Sequence, residues 1–312
     1  MQCFIQYLQA KGLAITTIKH YTRLTKLYIQ WSTHIAHQHT KKDVLNYLTY
    51  LKQHKKLQAI TRYNVLIALQ HYFTHLQQQN KISSNPTTFI KLRGIKKRKL
   101  HYIYNLEEID TLTDTYYYLQ VKQAEEKHHI HKGQYFLERS YLAKMRNYTM
   151  LLLIAYQGLR TREVLQLQIN DIDLHKATIL VRQGTTRGNQ RTLPLKATQI
   201  GTLIQYTNQI RPKLEHPQTN NSFFLPLPKK DPKAKKQAQA CLKGVTKKLK
   251  ELAPNFISLN QLRASVITHW IQTKGLRKAQ YLAGHKSIHS TEEYIPNVLE
   301  DLTEDIIQYN PF

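Results

Sequence analysis

Apolar residues over the first ninety or so positions recur with a helical period. With Thr16 or Thr17 as N-cap, Ile18, Tyr21, Leu24, Tyr28 and Trp31 fall on one face. Thr40 is placed to cap a second helix carrying Val44, Leu48 and Leu51. A third is predicted from about Ala59 to Gln79, with Leu66, Leu69, Phe73 and Leu76 on one side. The run Ser83-Ser84-Asn85-Pro86 then stops it. Residues 1–92 are therefore expected to form a small helical bundle. From Lys91 to Lys99 the chain is basic with no apolar period, and 93–105 reads as a linker that touches phosphates as it passes or is simply solvated.

The pattern resumes at Leu106, and 106–312 reads as a second domain. Within it, 119–140 looks like a loose, polar, histidine-rich insertion. His128, His129 and His131 have no fourth ligand at metal-site spacing, so a solvated loop is expected there. A buried helix is predicted over Arg146–Gln157, ending at Gly158. The period then shortens to two. Ala177–Arg182 and Arg191–Leu195 flank the polar Gly184–Gln190, which predicts a β-hairpin. Helical pattern returns after about residue 236, and the lysine-dense Lys229–Lys250 is expected to face DNA or solvent.

Charge narrows the partner. The 312 residues carry 46 Lys and Arg against 20 Asp and Glu, a formal +26, far more than solubility needs. A polyanion is implied, with nucleic acid first; a merely solvated basic face is the bland alternative. Two cysteines, Cys3 and Cys241, make no disulfide framework and have no metal-site spacing, which fits a reducing compartment. No signal peptide is evident, and the longest apolar run, Met150–Tyr156, is too short to span a bilayer. A cytoplasmic, nucleoid-associated protein with no membrane partner is the expectation.

Three patches carry chemistry. They are Gly158-Leu159-Arg160-Thr161-Arg162-Glu163-Val164, then Leu259-Asn260-Gln261-Leu262-Arg263 with Thr268-His269-Trp270, and last Leu282-Ala283-Gly284-His285-Lys286-Ser287-Ile288 with Tyr294 nine residues after His285. In this order they resemble the first arginine box, the second arginine box and the nucleophile box of the tyrosine recombinases, the integrase family. The resemblance covers most of the chain apart from 119–140. It implies a mainly α fold with a small antiparallel β-sheet: an N-terminal helical core-binding bundle of SAM-like type, then an α+β catalytic domain.

The resemblance also implies roles. Arg160 and Arg263 would clamp the nonbridging oxygens of a scissile phosphate, where planar, permanently charged guanidinium groups suit the charge that grows in the transition state. Glu163, three residues on, shares the helical face of Arg160 and is placed to orient it. Tyr294 would attack phosphorus and form a 3′-phosphotyrosine link that preserves bond energy for religation. His285 would bond the phosphate, whereas His269 is assigned to packing. Lys96, Lys97, Arg98, Lys99 and Lys286 are assigned to DNA contact.

Two positions depart from the family. The second box ordinarily begins with histidine, where this chain has Asn260, which can hydrogen-bond but cannot accept a proton. A hairpin lysine ordinarily protonates the leaving 5′ oxygen, where this chain has Thr186 and Arg187; arginine stabilises that oxygen but barely donates a proton. No nucleotide-binding or metal-hydrolase motif appears. Asp171 and Asp173 alternate in a predicted strand and read as surface acids. The resulting expectation is a recombinase, of a mobile element, with no metal and no small-molecule cofactor. It would act on double-stranded DNA with paired recombination sites as a homo-tetramer. A catalytically weakened DNA-binding relative and a type IB topoisomerase-like relaxase are the alternatives. After Pro296, an amphipathic segment from about Val298 to Tyr309 carries four acids, Glu300, Asp301, Glu304 and Asp305. It is expected to bind protein, either its own domain or a neighbouring subunit.

Overall fold

The computed structural model describes residues 1–32, 38–94, 102–131, 134–183, 188–215, 221–225 and 237–295. The chain forms two compact units, Met1–Lys99 and Leu100–Phe312.

Among its described residues the first unit holds four α-helices: α1 (Gln2–Ala10), α2 (Ile15–Trp31), α3 (Lys41–Gln53) and α4 (Ala59–Gln78). Phe4, Leu8, Tyr28, Val44, Leu69 and Phe73 fill its core. Thr40 caps α3 as its sequence position predicts, in a reciprocal box with Asp43. Neither Thr16 nor Thr17 caps α2. That helix starts at Ile15, straight after extended Ala14, because Gly12 in the left-handed region has already turned the chain out of α1.

The second unit begins with α5 (Leu106–Tyr116), capped by a box between Asn105 and Glu108. A π-helical turn (Tyr117–Lys122) leads into α6 (Gln123–Ile130). The loose loop expected over 119–140 is therefore helical where described, and α7 (Tyr135–Gln157) starts well before Arg146. The reason lies in a few large contacts rather than a continuous apolar stripe. Val121 and Ala124 are buried, His128 stacks on Tyr141, and Tyr141 donates to Glu125 at 3.1 Å. Among the three histidines of this stretch, His128 thus has a packing partner.

Helix α7 runs through the core, with Leu151, Leu153, Ile154 and Ala155 fully buried. Gly158 ends it at φ 56, where a Cβ would press on Val266. Then come α8 (Thr161–Gln166) and the antiparallel strands β1 (Ile172–Asp173), β2 (Thr178–Val181) and β3 (Arg191–Pro194) in the order β1-β2-β3. Ile179 faces Leu193 and Val181 faces Arg191 across the predicted hairpin. Asp171 is not a surface acid. It is buried in a 3₁₀ turn before β1, where one oxygen accepts from the Gln168 amide and the other from Arg182 Nε at 2.6 Å. Among the described residues, helices α9 (Ala197–Gln205), α10 (Arg211–Leu214), α11 (Gln237–Leu252), α12 (Leu259–Lys274), α13 (Leu276–Ala283) and α14 (His289–Glu292) follow. Leu242, Val245 and Leu249 of α11 point into the core, and Lys243, Lys247, Lys248 and Lys250 are exposed. No described helix is long and apolar enough to cross a membrane.

Candidate active site

The end of α7 and the start of α8 place the first arginine. Arg160 is the residue before α8, in extended backbone. Glu163, one turn in, accepts the Arg160 amide at 2.8 Å with one oxygen and the Arg160 guanidinium at 2.8 Å with the other. Glu163 thus caps the helix and holds the side chain beside it. The Arg160 side chain remains about a third exposed, at 31%.

Helix α12 supplies Arg263, only 4% exposed. Its guanidinium donates to the Gly158 carbonyl, to the Ala283 carbonyl at 2.8 Å, and to His285 Nε2 at 3.1 Å. Burial and then the nearby Arg160 charge lower its pKa, to a value still well above neutrality, so it stays a cation. One side chain therefore pins the ends of α7 and α13 together at main-chain carbonyls. Asn260 lies one turn earlier on α12 and is exposed, while Gln261 beside it is buried and bonds the carbonyls of Tyr102 and Asn255.

Helix α13 ends at Gly284, with φ 64, and the chain turns into His285. An arginine can only donate, so His285 Nε2 must accept from Arg263. The ring proton then sits on Nδ1 and is donated to Thr291 Oγ1 at 2.9 Å. Burial first, and then Arg263, Arg160 and Arg191, push the His285 pKa down to about 3, so the ring is neutral. Thr291, wholly buried in α14, is tied in turn to Tyr294, whose amide donates to the Thr291 carbonyl at 3.0 Å. The Tyr294 ring lies nearly parallel to His285, with centroids 6.0 Å apart and an angle of 18°. Lys286 is exposed beside the turn, and His269 is half-buried on α12.

The structure brings Arg160, Glu163, Arg263, His285 and Tyr294 into one cluster. It also adds a residue that the sequence reading passed over. Arg191, in β3, is almost wholly buried. Its Nη1 and Nη2 reach the two Glu163 oxygens at 3.1 and 3.0 Å, and its Nε donates to the Leu282 carbonyl at 2.7 Å. Burial alone would raise the Glu163 carboxyl. The Arg191 hydrogen bonds and charge, followed by those of Arg160, outweigh it and hold the group at about 2. A sequence signal existed: β3 alternates, and Arg191 shares the inward parity of Leu193. Arg187, Thr186, Lys96, Lys97, Arg98, Lys99 and the acidic segment 298–309 lie outside the described residues.

Chemically, the cluster holds three guanidinium groups against one carboxylate, with a neutral imidazole and a phenol alongside. Its surplus positive charge suits a phosphate, and its phenol suits nucleophilic attack.

Comparison with known proteins agrees in extent and in kind. The chain is 24% identical over 310 residues to a protein called tyrosine recombinase XerD from Listeria monocytogenes serotype 4b, covering 96% of this chain and 94% of that one. It is 25% identical over 304 residues to the TnP I resolvase of Bacillus thuringiensis, covering 95% of each. The fold matches a structure of the Tn1549 transposon integrase in complex with a circular intermediate DNA, with a TM-score of 0.66, 15% identity, and coverage of 94% of this chain and 93% of the other. Residues 1–82 match the N-terminal SAM-like domain of phage integrases and residues 127–299 match the phage integrase family itself, so the chain belongs to the phage integrase family, the tyrosine recombinases.

Proposed function

We propose that this protein is the site-specific recombinase of a mobile element, and that it cuts and rejoins duplex DNA through a 3′-phosphotyrosine link at Tyr294. The observation that carries the reading is the convergence of Arg160, Arg263, His285 and Tyr294, from three distant stretches of chain, on one hydrogen-bonded cluster. Arg160, the most exposed of the three arginines, meets the scissile phosphate, and Arg263 supplies charge from below. His285, neutral and accepting from Arg263, orients that arginine and α14. Glu163, at about 2, stays ionised at any working pH and serves as a fixed counter-charge, never as a proton shuttle. Asn260 stands where the family has histidine and hydrogen-bonds the phosphate without taking its proton. Arg187 stabilises the leaving 5′ oxygen.

Residues 1–92 and 106–312 both contact the duplex. The basic linker 93–105 with Lys96, Lys97, Arg98 and Lys99, together with Lys286, contacts phosphates. Four copies act on two paired sites, and the protein works in the cytoplasm on the nucleoid. The Tn1549 integrase likeness and the TnP I resolvase relative favour the mobile-element setting.

The test starts from a duplex site that the protein retains out of a random-sequence pool. A nicked version of that site traps the covalent complex on a denaturing gel. Tyr294→Phe is expected to lose the adduct completely and keep binding within about twofold, since one hydroxyl is removed and no phosphate contact depends on it. An adduct that survives in Tyr294→Phe assigns the nucleophile elsewhere. Two plasmid-borne sites giving recombinants, rather than relaxed circles alone, distinguish recombinase from relaxase.

A further inference from the structure

Arg191 is a buried cation that the chemistry above does not use. A buried guanidinium costs several kcal/mol unless it is fully paired, and at about 1% side-chain exposure it cannot reach DNA. All of its described bonds go inward: two to Glu163 and one to the Leu282 carbonyl. That geometry is the planar fork on a carboxylate, for which arginine is better suited than lysine.

The consequence lies in how Glu163 is shared. Its two oxygens accept four bonds, two from Arg191 and two from Arg160, and of the Arg160 pair only one comes from the guanidinium. Arg191 thus takes the bidentate share of the only carboxylate among the described site residues. If Arg191 were absent, Glu163 would be free to turn and form a bidentate pair with Arg160. That pair would neutralise the charge a phosphate needs. With Arg191 in place, two cations share one anion, and a net positive charge remains at the more exposed of the two.

Packing joins β3 and its approach to the same point. Gly188 is so close to Arg160 Nη1 and to the Gly284 carbonyl that a Cβ there would lie 3.4 and 3.3 Å from them. The Asn189 amide donates to that carbonyl at 3.2 Å, and a Cβ on Gly284 would overlap the Arg191 guanidinium.

We propose that Arg191 is a positioning residue for DNA cleavage: by holding Glu163 bidentately it keeps that carboxylate from offsetting the Arg160 charge in full and leaves Arg160 aimed at the scissile phosphate, and it ties β3 to the turn that carries His285. The proposal rests on the reading of Arg160 as a phosphate clamp.

A scissile methylphosphonate separates positioning from mere structural support, because it lacks the negative oxygen that the clamp neutralises. Wild type, Arg160→Ala, Arg191→Gln and Arg191→Lys are compared on the nicked selected site, carrying either the ordinary phosphodiester or the methylphosphonate. Arg191→Gln is expected to cleave the phosphodiester about 100-fold more slowly than wild type and the methylphosphonate within about threefold of it, with the Arg160→Ala pattern parallel and deeper. Equal loss on both substrates makes Arg191 a fold staple and overturns the proposal. Should Arg191→Gln show no cooperative thermal transition, Arg191→Lys decides. Lysine keeps the charge but cannot span both oxygens, so a smaller loss with the same substrate preference is expected, and a loss blind to the substrate refutes it. If Arg160→Ala itself cleaves the phosphodiester normally, the clamp reading falls. If Arg160→Ala is crippled while Arg191→Gln is normal, only the role of Arg191 falls.

Discussion

Acid should weaken the second unit through His285, by an amount the site geometry sets. The imidazole titrates at 6.5 when unperturbed, and the folded site pushes it down to about 3. A histidine depressed on folding contributes stability that is fully present above 6.5 and drains as pH falls toward 3, because the unfolded chain takes up the proton first. Between pH 8 and pH 5 the two proton affinities predict a loss of about 2 kcal/mol from this one group. Glu163 is nearly silent over that range, since its contribution is present above 4.5 and is lost only as pH falls from there to about 2. His285→Gln removes the titration, and its amide still offers one donor and one acceptor. Trp31 and Trp270 are the two tryptophans, one in each unit. In a Trp31→Phe background, urea unfolding followed by Trp270 fluorescence therefore reports the second unit. Other depressed histidines, His269 among them, titrate alike in both proteins and cancel in the difference. The parent should lose about 2 kcal/mol more than His285→Gln between pH 8 and pH 5. Parallel stability curves for the two would show that burial and Arg263 do not hold the ring neutral, and the assignment of its proton to Nδ1 would go with it.

Gly284→Ala places a Cβ in the left-handed region and against the Arg191 guanidinium, so urea melts should show about 3–5 kcal/mol of lost stability, the range for breaking a buried ion pair. Asn260→His restores a proton acceptor at an exposed position one turn from Arg263, and single-turnover cleavage should stay equal or rise. Arg187→Ala should slow cleavage of a normal 5′ oxygen more than that of a 5′-bridging sulfur, which leaves without a proton, and equal slowing would remove Arg187 from the leaving-group role. DNA affinity measured from 50 to 200 mM salt should fall by about 10³-fold or more, as expected when six or more phosphates are neutralised; a flat response would contradict those phosphate contacts.

Much of the site was legible because three short motifs kept their order and spacing. Arg160 with Glu163, Arg263, and His285 with Tyr294 could be named without coordinates, since a turn-ending glycine and a helical step of three or four place each neighbour locally. Helices α2, α3 and α4 of the first unit and the β2–β3 hairpin followed from periodicity in the same way, whereas α1 and the start of α2 did not. The region from 119 to 140 was misread because its order rests on a few aromatic contacts, such as His128 on Tyr141, that create no apolar repeat. Asp171, read as a surface acid, and Arg191, passed over, belong to another case. Their inward side chains are tolerable only because partners outside their own strand pattern meet them: Arg182, 11 residues on, for Asp171, and Glu163, 28 residues earlier, for Arg191. Tertiary structure alone decided which charges share Glu163, which nitrogen of His285 bears the proton, and why Arg263 can be buried. Half of the hydrogen bonds that satisfy Arg191 and Arg263 go to the main-chain carbonyls of Gly158, Leu282 and Ala283. A carbonyl is the same at every residue, so no sequence pattern marks it, and only the packing of α7, α12 and α13 against β3 brings it to the side chain that needs it.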